Sequence, residues 1–115
     1  MTDIEWLAVP DFAERLGVPF TRVRDLLRER AIVAVRRGEG EPLRLPASFL
    51  VEGENGPEIL PTLRGTLTLL FDAGFDDDAA MEWLLADNDE LGTSPVEDLR
   101  AGRRARVRRA AQALF

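Results

Sequence analysis

The segment Gly17-Val18-Pro19 constrains the chain more than any other. Glycine readily takes the left-handed conformation that ends a helix, and proline two residues later removes an N–H and fixes φ, so no helix runs across this corner. On one side Pro10 suits the first turn of a short helix over DFAERL, which places Phe12, Ala13 and Leu16 on one face. On the other side the spacing predicts a helix from about Pro19 to Arg30. Phe20, Val23, Leu26 and Leu27 lie within roughly 60° of Val23 on a wheel of 3.6 residues per turn. Thr21, Asp25 and Arg28 oppose them, flanked by Arg22 and Arg24.

Two short helices around a glycine corner, the second with a polar and basic outer face, satisfy what a helix-turn-helix requires of its recognition helix. The run AIVAV follows, then the polar stretch RRGEGEP, then LRL and PASFL. This predicts a short strand, a glycine-containing tip and a returning strand, with Arg36 and Arg37 at the tip and Arg44 on the return. Such a hairpin makes a wing able to hold phosphates on either side of the groove. Glu39 and Glu41 at its tip argue for backbone positioning over base reading.

Residues 51 to 61, VEGENGPEILP, read as a linker or long loop. Beyond it Leu63, Leu67, Leu70 and Phe71 are at helical spacing up to Gly74. Asp76 can cap a helix presenting Ala80, Trp83 and Leu84. Ser94, Pro95 and Glu97 form a capping box for a short helix closed by Gly102. Val107, Ala110, Ala111 and Leu114 form the stripe of a terminal helix. The expected class is mainly α, with a winged helix-turn-helix over residues 1–52 and a helical domain over residues 58–115.

Charge is distributed unevenly. Residues 1–50 hold 8 Arg and 8 acids; residues 51–99 hold 1 Arg and 13 acids; residues 100–115 hold 6 Arg and no acid. The net charge of −6 therefore says little about what one face binds. The acidic middle segment is expected to face away from DNA. The terminal arginines allow three readings: an extended DNA footprint, neutralisation of the acidic segment within the fold, or a partner surface. Neutralisation is the default, because thirteen acids lie just upstream. Asp87, Asp89, Gly92 and Asp98 fall at calcium-loop positions, but Leu91 occupies a ligand position, and a turn followed by a capping box explains the segment better.

The chain has no Cys and no His, which removes thiol and imidazole nucleophiles, bases and metal ligands. No pair of acids is placed for proton transfer, so a non-enzymatic protein without cofactor or metal is expected. The acidic start MTDIEWLAVPDF is unlike a secretory signal and no apolar run is long enough for a bilayer, so a cytoplasmic location without membrane contact is expected. Thr2 and Thr21 offer hydroxyls for phosphorylation, and a phosphate near Thr21 would repel DNA.

The run WLAVPDFAERLGVPFTRVRDLLRERAIVAVRRGEGEPLRLPASFL resembles the winged helix-turn-helix domain of a family of small actinobacterial DNA-binding proteins known chiefly from mycobacteria. It is similar, more distantly, to the amino-terminal domain of MerR-type regulators, in which an aromatic residue contacts DNA at the position of Asp25. The mycobacterial family pairs this domain with a helical carboxy-terminal domain, as does the chain from about Pro57 to Phe115. The resemblance implies DNA binding through the outward face of the second helix and the wing, and the expected function is that of a transcriptional regulator on double-stranded DNA. Thr21, Arg22, Arg24 and Arg28 would enter or border the major groove, and Arg36, Arg37 and Arg44 would hold phosphates, all on one convex positive ridge. Trp83, Leu84, Asn88, Leu91, Gly92, Pro95 and Leu99 are similar in type and spacing to the toxin-binding domain of Xre/MbcA/ParS antitoxins. That resemblance implies the alternative, an interaction module whose C-terminal domain holds a partner protein or a second copy in a homodimer. A core role explains the same residues more simply.

Overall fold

A computed structural model describes residues 4–115. Strand β1 (Trp6–Ala8) leads directly into helix α1 (Val9–Leu16), which has Pro10 in its first turn. Gly17 ends α1 with φ 79°, and its N–H donates to the carbonyls of Ala13 and Glu14. The Val18 N–H reaches Ala13 O at 3.1 Å, completing the 6→1 closure that requires a left-handed residue in this place. Helix α2 (Phe20–Arg28) follows at once, with Val23 and Leu26 buried and Leu27 packed against the core. It stops two residues short of the expected end, and Arg30 adopts φ 60°.

The wing is a real hairpin, but its first strand is short. Of AIVAV only Val35 joins β2 (Val35–Arg36); Ala31 to Ala34 are buried without forming a strand. Strand β3 (Leu43–Pro46) pairs antiparallel with β2 on one side and with β1 on the other, giving the order β1-β3-β2. The third strand, β1, was not foreseen from sequence. A 3-10 turn over Ala47–Phe49 buries Phe49 completely.

Residues expected to form a linker instead make a second hairpin, β4 (Leu50–Gly53) and β5 (Gly56–Ile59), paired Leu50 with Ile59 through Gly53 with Gly56. Glu54 and Asn55 form the two-residue turn, and Gly56 follows it with φ 107°, a left-handed conformation that glycine accommodates.

The helical half follows the expected order: α3 (Leu63–Asp72), α4 (Asp77–Leu85), α5 (Pro95–Arg100) and α6 (Arg104–Gln112). Asp76 caps α4 by accepting from Ala79 N at 2.8 Å, and Ser94 Oγ accepts from Glu97 N at 3.3 Å to cap α5. Leu63, Leu67, Leu70, Ala80, Leu84, Val107, Ala110 and Ala111 are buried. Leu114, placed on the α6 stripe by periodicity, is exposed because it lies beyond the end of that helix. One apolar cluster runs continuously from Leu7 through Phe12, Val23, Leu45 and Phe49 to Leu67, Leu84 and Val107. No helix among the described residues is long and apolar enough to cross a membrane.

Candidate nucleic-acid interface

The outward side of α2 is built by the same periodicity that buries Val23 and Leu26. Thr21, Arg24 and Arg28 are exposed and lie within about 60° of one another on the helix wheel. Asp25, on the same side, accepts from Arg28 at 3.0 Å, the i, i+3 pairing that its spacing allows. Arg22 sits on a flank of the helix, 3.9 Å from Glu29, which also pairs with Arg64 of α3 at 3.4 Å. Arg22 is thus drawn toward the helical half, away from Arg24 and Arg28. Its N–H already donates to Pro19 O at 2.9 Å, and no side chain caps α2.

Phe20 departs from expectation. The wheel groups it with Val23, yet it is 45% exposed, because as the first residue of α2 it has no preceding helical turn to lie against. The Arg24 guanidinium lies 5.6 Å from its ring centre.

Strand register sorts the wing arginines by face. Directly paired residues share a face and alternate along each strand, so Arg36 and Leu43 lie on the side of Leu7 and Leu45. Arg44 lies on the opposite side with Trp6, Ala8 and Val35. Arg37, just past β2, joins it: its guanidinium stacks 4.3 Å from the Trp6 ring, a contact not anticipated from sequence. The guanidinium groups also hold the wing together, Arg36 donating to Glu41 O at 3.3 Å and Arg44 Nε to Arg37 O at 3.2 Å. The three wing arginines therefore do not share one face.

The acidic segment does not turn wholly away from these groups. Asp78 and Glu82 of α4 line a groove of about 500 Å³ together with Trp6, Arg36 and Arg37. Asp77 pairs with Arg30 at 3.1 Å, just past α2. Arg30 also stacks on Phe71 of α3 at 3.9 Å, so the C-terminal end of α2 is fastened to the helical half.

Of the terminal arginines, three are occupied internally. Asp98 is completely buried and faces Arg103 at 3.1 Å and Arg106 at 3.5 Å. Arg106 also donates to Leu91 O, and Arg100 donates to Ser48 O and Leu50 O. These contacts place Asp98 in an ion-pair cluster, and Asn88 organises the preceding turn by accepting the N–H groups of Glu90, Leu91 and Gly92. Leu84, Leu91 and Leu99 are buried, as a core role requires, while Trp83 packs half-buried against the core. Thr2 lies outside the described residues, and Thr21 is exposed.

A helix pair around a glycine corner, with a three-stranded sheet ending in a hairpin, defines a winged helix-turn-helix protein carrying an additional helical region. Residues 1–50 match the family model described as DNA-binding protein Rv2175c, wHTH domain, and residues 60–115 match the Rv2175c C-terminal domain of unknown function. The chain belongs to the Rv2175c family. It is 35% identical over 118 residues to the DNA-binding protein Rv2175c of Mycobacterium tuberculosis (strain ATCC 25618 / H37Rv), covering 92% of this chain and 77% of that one. The NMR structure of Rv2175c superposes with a TM-score of 0.80 at 32% identity, over all of this chain and 84% of that one.

Proposed function

We propose that this protein binds double-stranded DNA and acts as a cytoplasmic transcriptional regulator, docking as a MerR-like winged helix-turn-helix. The observation that carries the reading is the exposed strip Thr21, Arg24 and Arg28, on a helix whose opposite side is locked into the core. In this docking the N-terminal part of α2 enters the major groove and the wing lies over the flanking backbone. Arg24 is the principal base-reading candidate, since a guanidinium fork meets both acceptors of a guanine edge and discriminates by roughly 1–3 kcal/mol. Arg28 and Arg22 border the groove. Arg36, on the wing face opposite Trp6, holds one phosphate path; Arg37 and Arg44 hold the other. Residues 1–52 form the docking unit and residues 58–115 buttress it, with no chemistry of catalysis assigned to either. The name of the family's mycobacterial member supports the same reading.

The test is an anisotropy titration of a labelled duplex at several salt concentrations. Binding whose logarithm falls linearly with the logarithm of salt is expected, because each neutralised phosphate releases counterions. Arg36→Ala should reduce that slope by about 1. Absence of duplex binding at low salt overturns the proposal.

A further inference from the structure

Phe20 is the one exposed large apolar side chain on α2, a helix otherwise charged on its outer side. Side chains on a helix lean toward its N-terminus, so the ring of a first-position phenylalanine projects past the helix end. That end is the part of a recognition helix that meets base edges. Hydrogen-bonding groups dominate the floor of the major groove, and the apolar group exposed there is the C5-methyl of thymine. Behind the ring, Arg24 at 5.6 Å supplies a cation that limits where the ring can swing. The exposed Leu43 of the wing shares no such placement, because its strand lies over phosphates in this docking.

From this geometry we infer that Phe20 reads thymine, closing its ring over the C5-methyl while Arg24 addresses the neighbouring base or phosphate. The inference rests on the DNA-binding reading above and adds a sequence preference to it.

The probes are two alternating duplexes that differ only in that methyl, poly(dA-dT) and poly(dA-dU), with poly(dG-dC) alongside, each titrated with the full chain. Wild type should bind poly(dA-dT) about three- to fivefold more tightly than poly(dA-dU), the effect of burying roughly one methyl group. Phe20→Ala should bind the two equally, near the wild-type level for poly(dA-dU); Phe20→Leu, still apolar, should keep part of the preference. Because the ring is only about half buried, Phe20→Ala should cost no more than about 1 kcal/mol and Phe20→Leu less, so both variants stay folded under the titration conditions. Equal binding of the two duplexes by wild type, a preference that survives Phe20→Ala, or binding of poly(dG-dC) alone overturns the thymine contact and leaves DNA binding standing. Failure to bind any of the three overturns the DNA-binding reading itself, and the thymine contact with it.

Discussion

The arginines of α2 and the wing and those that follow α5 carry the same guanidinium into unlike surroundings. Arg22 and Arg28 meet carboxylates that are themselves about half exposed, at 3.9 and 3.0 Å. Such pairs contribute roughly 0–1 kcal/mol and exchange readily for a phosphate. Arg103 and Arg106 meet Asp98, which has no exposed surface. A carboxylate in that position has lost its water, so its guanidinium partners are part of the fold. Arginine content alone therefore does not locate a nucleic-acid surface, because arginines held by a buried acid belong to the fold.

The strongest way to break this contrast is to remove Asp98. Deleting one member of a buried pair costs about 3–5 kcal/mol when the remaining charge stays buried. Here the abandoned arginines are partly exposed and can rehydrate, so Asp98→Ala should lose about 2 kcal/mol. In a domain of this size that lowers Tm by roughly 10 °C. Urea unfolding followed by circular dichroism measures it, and an unchanged midpoint would put Asp98 outside the structural core.

The next effect is a paired one. Arg24→Ala with Arg36→Ala should lower duplex affinity at least about tenfold, while moving stability by less than about 0.5 kcal/mol, because both side chains are exposed. Arg103→Ala with Arg106→Ala should do the reverse, lowering stability with little change in affinity. Anisotropy and urea unfolding on the same four-substitution set decide it. If both double variants lose affinity equally, the terminal helix belongs to the DNA footprint and the contrast collapses.

What was legible in the sequence follows the range of the forces involved. Gly17, Pro10, Asp76 and Ser94 act on backbone within a few residues, and the helices they punctuate stand where the spacing puts them. Strand β1 was invisible because its three residues are defined by partners near residue 45. Residues 51–61 read as a linker or long loop from their Gly, Pro and Glu content, because the pairing of Leu50–Gly53 with Gly56–Ile59 is fixed by cross-strand partners that composition does not record. In the candidate site, the polar side of α2 was readable from periodicity. The exposure of Phe20 was not, since a helical wheel does not record whether a preceding turn exists to cover a residue. The split of the wing arginines between two faces depends on a register that only the pairing of β2 with β3 fixes.

A smaller effect tests how the helical half is fastened to the winged half. Arg100 donates to Ser48 O at 2.8 Å and Leu50 O at 2.6 Å, bridging α5 to the start of β4. Arg100→Ala should cost about 1 kcal/mol: two hydrogen bonds from a charged group are lost, and water reaching the freed carbonyls offsets part of that loss. Amide exchange should accelerate across β4 and β5 before it does in α1 and α2. Uniform acceleration would mean that the second hairpin is not separately anchored.

The smallest effect belongs to the exposed counterpart of Asp98, the pair of Glu5 with Arg15 at 2.6 Å. The hydrogen bond from the Arg15 guanidinium, together with its charge, holds the Glu5 carboxyl below its ordinary value of 4.5. A carboxyl whose pKa is lower in the folded state stabilises the fold fully above the unfolded value, and that contribution fades as pH falls through the folded one. The stability difference between wild type and Glu5→Gln should therefore be slight at neutral pH, shrink below about pH 4.5, and vanish once Glu5 is protonated in both states. A carboxyl-carbon NMR titration gives the midpoint directly, and it should fall below 4.5 and move back toward it in Arg15→Ala. A Glu5 midpoint already at the ordinary value in wild type would mean that water has dissolved the pair. Short separation would then be no guide to which arginines in this chain are engaged, and burial of the partner acid would be the criterion that survives.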